Sequence, residues 1–91
     1  MKKEIDMADD KIKVYGTTWC PDCIRAKRVL IDKSVVFEWI DISNDEKARS
    51  YVEKVNNGSR SVPTIVFPDG SVLVEPSNRV LEDKVASLKT V

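Results

Sequence analysis

Two cysteines three residues apart, Cys20 and Cys23, stand where a strand hands over to a helix. Before them, Ile12-Lys13-Val14-Tyr15 alternates and is β-branched, so it reads as a strand. After them, Ile24 to Lys33 has no Gly or Pro and reads as a helix. Pro21 suits the first helical position, where its missing N–H costs nothing. Cys20 then falls at the N-cap, facing unsatisfied N–H groups and the positive end of the helix dipole. Both favour a thiolate, the reactive form of cysteine. Cys23 sits one turn in, on the same face. The spacing therefore predicts a redox dithiol, with Cys20 attacking a disulfide and Cys23 resolving the mixed disulfide.

Other uses of such a pair fit less well. A structural disulfide would close a very short loop and constrain the unfolded chain little. A zinc site normally takes four ligands, and the chain has two cysteines and no histidine. No metal site is expected.

The remaining chain supplies a domain around this pair. Ninety-one residues suffice for one modest core. Fifteen basic and fifteen acidic residues cancel, which gives no electrostatic case for nucleic acid or membrane. Residues 1–10 lack the apolar core of a signal peptide and read as a flexible tail, leaving 11–91 as the domain. No apolar run is long enough to span a bilayer. The expectation is a cytoplasmic protein, where C-x-x-C is more often catalytic than structural.

Val35 to Asp41 reads as a second strand, apolar on both faces at several positions, as in a sheet covered on both sides. Its connection through a helix makes it parallel to the first, with a right-handed crossover. Ser43 and Glu46 look like a capping box, and Ala48, Tyr51, Val52 and Val55 recur at helical spacing. Asn57-Gly58 ends that helix, with Gly58 available for a left-handed cap. Val62 to Phe67 is a third strand, with Pro63 at its start. Pro68-Asp69-Gly70 turns into Ser71-Val72-Leu73-Val74, an antiparallel hairpin. Ser77 or Asn78 caps a last helix, whose apolar face carries Val80, Leu81, Val85 and Leu88. The order is βαβαββα, an α/β domain with a mixed four-stranded sheet flanked by helices.

Three segments carry a resemblance to a known family. They are Tyr15-Gly16-Thr17-Thr18-Trp19-Cys20-Pro21-Asp22-Cys23, Arg60-Ser61-Val62-Pro63-Thr64 and Pro76-Ser77-Asn78. With the element order, they make the chain similar to the glutaredoxin branch of the thioredoxin fold, over residues 12 to 89. Within it the chain looks like the mycoredoxin-type and NrdH-like subgroups. True thioredoxins fit less well, because they carry a buried acid where this chain has Val14 and use Cys-Gly-Pro-Cys.

The resemblance implies a thiol–disulfide oxidoreductase acting on protein disulfides or protein–small-thiol mixed disulfides. It implies a cis Val62–Pro63 bond, with the Val62 backbone pairing with substrate like an added strand. It implies no tightly bound cofactor. The co-substrate would be a low-molecular-weight thiol, either glutathione, mycothiol or an equivalent. Residues implied to contact thiol or substrate are Thr17, Trp19, Pro21, Arg60, Val62, Pro63, Ser77 and Asn78. Arg60 stands where the family often has a basic residue for a carboxylate. Thr17 replaces a frequent lysine, and Ser77 and Asn78 stand near a frequent acidic residue, so charges of the glutathione site are missing. Asp22 is a further departure, a carboxylate in the first helical turn. It favours the helix but opposes a second negative charge on Cys20.

Two alternatives accompany this reading. One is an NrdH-like electron donor reduced by a thioredoxin reductase. The other, from a different class, is a binding module that dimerises around an iron–sulfur cluster, which Pro21 disfavours by family pattern. A monomer is expected for the oxidoreductase.

Overall fold

The computed structural model describes residues 11–89, so the tail expected at 1–10 lies outside the described residues. Seven elements follow in the order βαβαββα: β1 (Ile12–Gly16), α1 (Pro21–Asp32), β2 (Phe37–Asp41), α2 (Glu46–Val55), β3 (Thr64–Val66), β4 (Val72–Val74) and α3 (Asn78–Lys89). The strands form one sheet in the order β2-β1-β3-β4. β1 runs parallel to β2, with Val14 opposite Trp39, and antiparallel to β3, with Val14 opposite Ile65. β3 and β4 make the antiparallel hairpin. The mixed four-stranded α/β architecture is the one expected.

Alternation along β1 divides the core between two faces. Ile12 and Val14 join Ala26, Val29 and Leu30 of α1 and Leu81 and Val85 of α3 in the larger buried cluster. On the other face Tyr15 packs against Ala48 and Val52 of α2, together with Ile40, Ile42 and Val62. Leu30 and Ile65 are fully buried, and each such side chain contributes about 1.5–3 kcal/mol of hydrophobic stabilisation. The larger cluster lies under α1, so the helix that carries Cys23 and is capped by Cys20 is seated on the main core.

Local chemistry moves several boundaries. β2 starts at Phe37 rather than Val35, because Val35 N–H is drawn to the Leu30 carbonyl and Ser34 turns through φ 59°. β3 and β4 are shorter than the expected 62–67 and 71–74. Asp45, not Ser43, caps α2, accepting from Ala48 N–H at 3.0 Å. Ser43 is occupied elsewhere, donating its N–H and hydroxyl to Asp41. Both bonds hold the Asp41 carboxyl below its usual range. At the end of α2, Asn57 and Gly58 both take positive φ, and Gly58 N–H closes onto the Glu53 carbonyl. Ser77 caps α3, its hydroxyl oxygen accepting from Val80 N–H at 3.2 Å.

Candidate active site

β1 ends at Gly16, and four residues later Cys20 caps α1 from an extended conformation. Its N–H donates to the Thr17 carbonyl at 3.4 Å, which folds the connecting loop back on itself. Its carbonyl accepts from Ile24 N–H, the first full turn of the helix. Cys23 N–H points at the Cys20 sulfur at 3.4 Å. The helix thus offers this sulfur one of its unsatisfied donors, as an N-cap side chain should receive. Pro21 lies at the start of the helix, as the sequence predicts.

The two sulfurs have different surroundings. Cys20 is half-buried and Cys23 is buried, and neither is disulfide-bonded. Burial pushes the Cys23 thiol up to about 12; a backbone hydrogen bond at Thr17 pulls the other way, while the bond and charge of Cys20 and the Asp22 carboxylate add to the rise. Cys23 therefore rests as a protonated thiol.

A second segment faces the pair. The Val62–Pro63 peptide is cis, as expected. The Val62 carbonyl lies 4.0 Å from the Cys20 sulfur, across 42 positions of sequence. Several bonds hold this segment in place. Thr64, fully buried, donates its hydroxyl to the Ser61 carbonyl at 2.7 Å and accepts from the Asn56 side chain at 3.0 Å. Glu75 N–H donates to the Pro63 carbonyl at 2.8 Å. Asn56 and Thr64 were not among the residues expected from sequence; they act by fixing the loop that carries Val62.

The other expected residues divide. Thr17 is buried beside the pair, and Trp19 is exposed to 69% just before it. Asn78 is brought to the cysteine helix by Arg25, whose guanidinium donates to Asn78 Oδ1 at 2.6 Å, to the Pro76 carbonyl at 3.4 Å and to Asp22 at 3.1 Å. Ser77, next to it, is used as the helix cap. Arg60 is exposed and paired with Glu53 of α2, so its guanidinium is engaged away from the cysteine pair. Arg25 itself is new, and the only sequence signal for it was its position three after Asp22.

Gly16 is a further residue that sequence reasoning passed over. A Cβ there would stand 2.5 Å from the Cys23 sulfur and 2.8 Å from the Trp39 ring. The backbone of β1 therefore passes where no side chain fits. Lys27 lies over the face of that ring, its ammonium 4.0 Å from the Trp39 centroid.

Comparison with known proteins agrees with this geometry. The Glutaredoxin family profile matches residues 12–73. The chain belongs to the glutaredoxin family. A Mycobacterium tuberculosis protein designated a candidate glutaredoxin is 35% identical over 77 residues, covering 85% of this chain and 92% of that one. Mycoredoxin 1 of Corynebacterium glutamicum is 32% identical over 77 residues, covering 85% and 95%. The solution structure of glutaredoxin from Brucella melitensis superposes with TM-score 0.69 at 29% identity, covering 86% of each chain. As a glutaredoxin, the protein is a thiol–disulfide oxidoreductase of thioredoxin-like fold. Among the described residues no helix is long and apolar enough to cross a membrane.

Proposed function

We propose that Cys20 and Cys23 work as a two-cysteine reductant of protein disulfides and of mixed disulfides between proteins and a small thiol. The observation that carries this reading is the half-buried Cys20 sulfur at the helix N-cap, with Cys23 buried one turn behind it. The Cys20 thiolate attacks one sulfur of the substrate disulfide. A Cys20–substrate disulfide forms, the substrate S–S bond breaks, and the second substrate sulfur leaves as a thiolate. Cys23 then loses its proton and attacks the Cys20 sulfur, which releases the remaining substrate thiolate and leaves a Cys20–Cys23 disulfide. Two electrons pass from the dithiol to the substrate. The Val62 backbone holds the substrate chain as an added strand, and Pro63, Thr17, Pro21 and Trp19 frame the approach.

Two molecules of a low-molecular-weight thiol return the electrons, and the thiol is one other than glutathione. Three things support this choice. Thr17, Ser77 and Asn78 are uncharged. Arg60 is already engaged by Glu53, and Asn78 by Arg25. The likeness to mycoredoxin 1 makes mycothiol the first candidate. The enzyme acts as a monomer in a reducing cytoplasm.

The test is reduction of the oxidised protein by glutathione, by mycothiol, and by thioredoxin reductase with NADPH, run beside Cys20→Ser and Cys23→Ser. Cys20→Ser is expected to lose all activity. Cys23→Ser is expected to lose reduction of intramolecular protein disulfides and to keep reduction of small-thiol mixed disulfides. Alkylation with iodoacetamide should reach Cys20 first. Preferential labelling of Cys23 would reverse the two roles. Glutathione acting as fast as mycothiol would remove the assignment of the thiol, and reduction by the reductase alone would replace it with the NrdH-like reading.

A further inference from the structure

Arg25 is tied to three acceptors on two elements. Its guanidinium meets Asp22 in the first turn of its own helix, and Asn78 Oδ1 and the Pro76 carbonyl where α3 begins. An arginine side chain gives up considerable rotamer entropy when it is held in one place. Three acceptors in a fixed fork make that loss worth sustaining, and the planar guanidinium is the group that can serve them together. Asp22 lies between the two cysteines in the chain, and its carboxylate is one of the groups that oppose ionisation of the Cys23 thiol. Its only described ion-pair partner is Arg25.

We propose that Arg25 is a positioning residue of the redox pair: it cancels the Asp22 carboxylate and so sets the balance between the Cys20/Cys23 dithiol and its disulfide. This rests on the two-cysteine reading above. A carboxylate beside a thiol opposes its ionisation, and the disulfide carries no charge to oppose. Without Arg25 the uncompensated Asp22 charge destabilises the reduced form, and the protein becomes a stronger reductant. Asp22 and Arg25 are both partly exposed. Water screens them, so the effect is modest.

The reaction to follow is protein dithiol plus oxidised dithiothreitol giving protein disulfide plus reduced dithiothreitol, with two electrons and two protons moved on each side. Arg25→Gln should shift the equilibrium toward protein disulfide by about threefold, roughly 14 mV for a two-electron couple. Arg25→Lys, which keeps the charge, should recover most of the wild-type value. Asp22→Asn should shift it the opposite way. In the Asp22→Asn background, Arg25→Gln should have no further effect, because the charge that Arg25 cancels is gone. Such a cycle isolates the pair from general damage to the fold. An equal shift in both backgrounds would overturn the proposal, since Arg25 would then act independently of Asp22. An unchanged Arg25→Gln equilibrium would overturn it too. If wild type forms no intramolecular disulfide at all, it is the two-cysteine reading that fails.

Discussion

Around Cys20 the molecule is a rim; around Cys23 it is an interior. The rim consists of Trp19, Asp22, Arg25, Ser77 and Asn78, polar or exposed groups, among which Arg25 joins Asp22 and Asn78 by hydrogen bonds that water can replace. The interior is Gly16 and Trp39 closing on a thiol exposed to 1%. A single helical turn separates the two. The difference shows how one short motif obtains two sulfurs of unlike character: the N-cap keeps Cys20 accessible, while the helix rotates Cys23 under the sheet. Chemistry at the rim depends on charge and on which groups can be reached. In the interior it depends on space and on desolvation.

The largest break in this contrast should come from filling the interior. Gly16→Ala places a methyl group 2.5 Å from the Cys23 sulfur and 2.8 Å from the Trp39 ring, so one of them must move. Cys23 is enclosed, and Trp39 is half-buried against the larger core cluster, so the displacement disturbs packing on at least one side. Overpacking of this kind costs about 1–3 kcal/mol. Thermal melting should show that loss, and the rate at which Cys20 and Cys23 close to a disulfide should fall with it. A variant that melts and closes like wild type would show that the interior is slacker than described.

Next comes the charge state of the buried thiol. Cys23 is raised to about 12 in the folded protein, chiefly by burial, from 9.0 in the unfolded chain. Between those values the folded form holds a proton that the unfolded form has released. Stability therefore falls as pH rises through that window, and this contribution is complete below pH 9. One group contributes at most about 1.4 kcal/mol per pH unit. Tyr15 is also raised, by burial first and then by Tyr51, so it adds an alkaline loss of its own. Comparing urea melts of the reduced protein with Cys23→Ala, which keeps Tyr15, separates the two. Identical alkaline slopes would mean that Cys23 is not desolvated.

The rim was only partly legible in the sequence, and the interior hardly at all. The N-cap role of Cys20, the first-turn Pro21 and the facing Val62–Pro63 segment follow from local spacing and from the glutaredoxin likeness, because each depends on near neighbours or on a recurrent motif. The element order and the mixed sheet follow from alternation and from helical connection. Ser43 was misread as a cap because the motif fits, while Asp41 two residues earlier competes for the same hydroxyl. Arg25 could reach many acceptors along the chain, and only the approach of α3 to α1 chooses Asn78 and Pro76. Arg60 likewise pairs with Glu53 because the Asn57-Gly58 turn brings them together. Gly16 looked like the ordinary end of a strand, and its constraint comes from two side chains, 7 and 23 residues further along.

The smallest effect is expected at the outermost rim residue. Trp19 is exposed to 69%, so removing its ring gives up little buried surface. Trp19→Ala should change stability by no more than about 0.5 kcal/mol. The indole is nonetheless a large exposed apolar group on the residue that precedes Cys20, and exposed tryptophans of this kind serve as anchors in protein contacts. The KM for a protein disulfide should therefore rise several-fold, while kcat changes less, since the ring touches the partner and not the reacting sulfurs. For a small disulfide such as hydroxyethyl disulfide, which is too short to cover the ring, the rise in KM should be much smaller. Steady-state kinetics on both substrates reads the difference. Equal losses on both would place Trp19 in the chemistry at Cys20, and the line drawn between an exchangeable rim and a fixed interior would then have to run outside it.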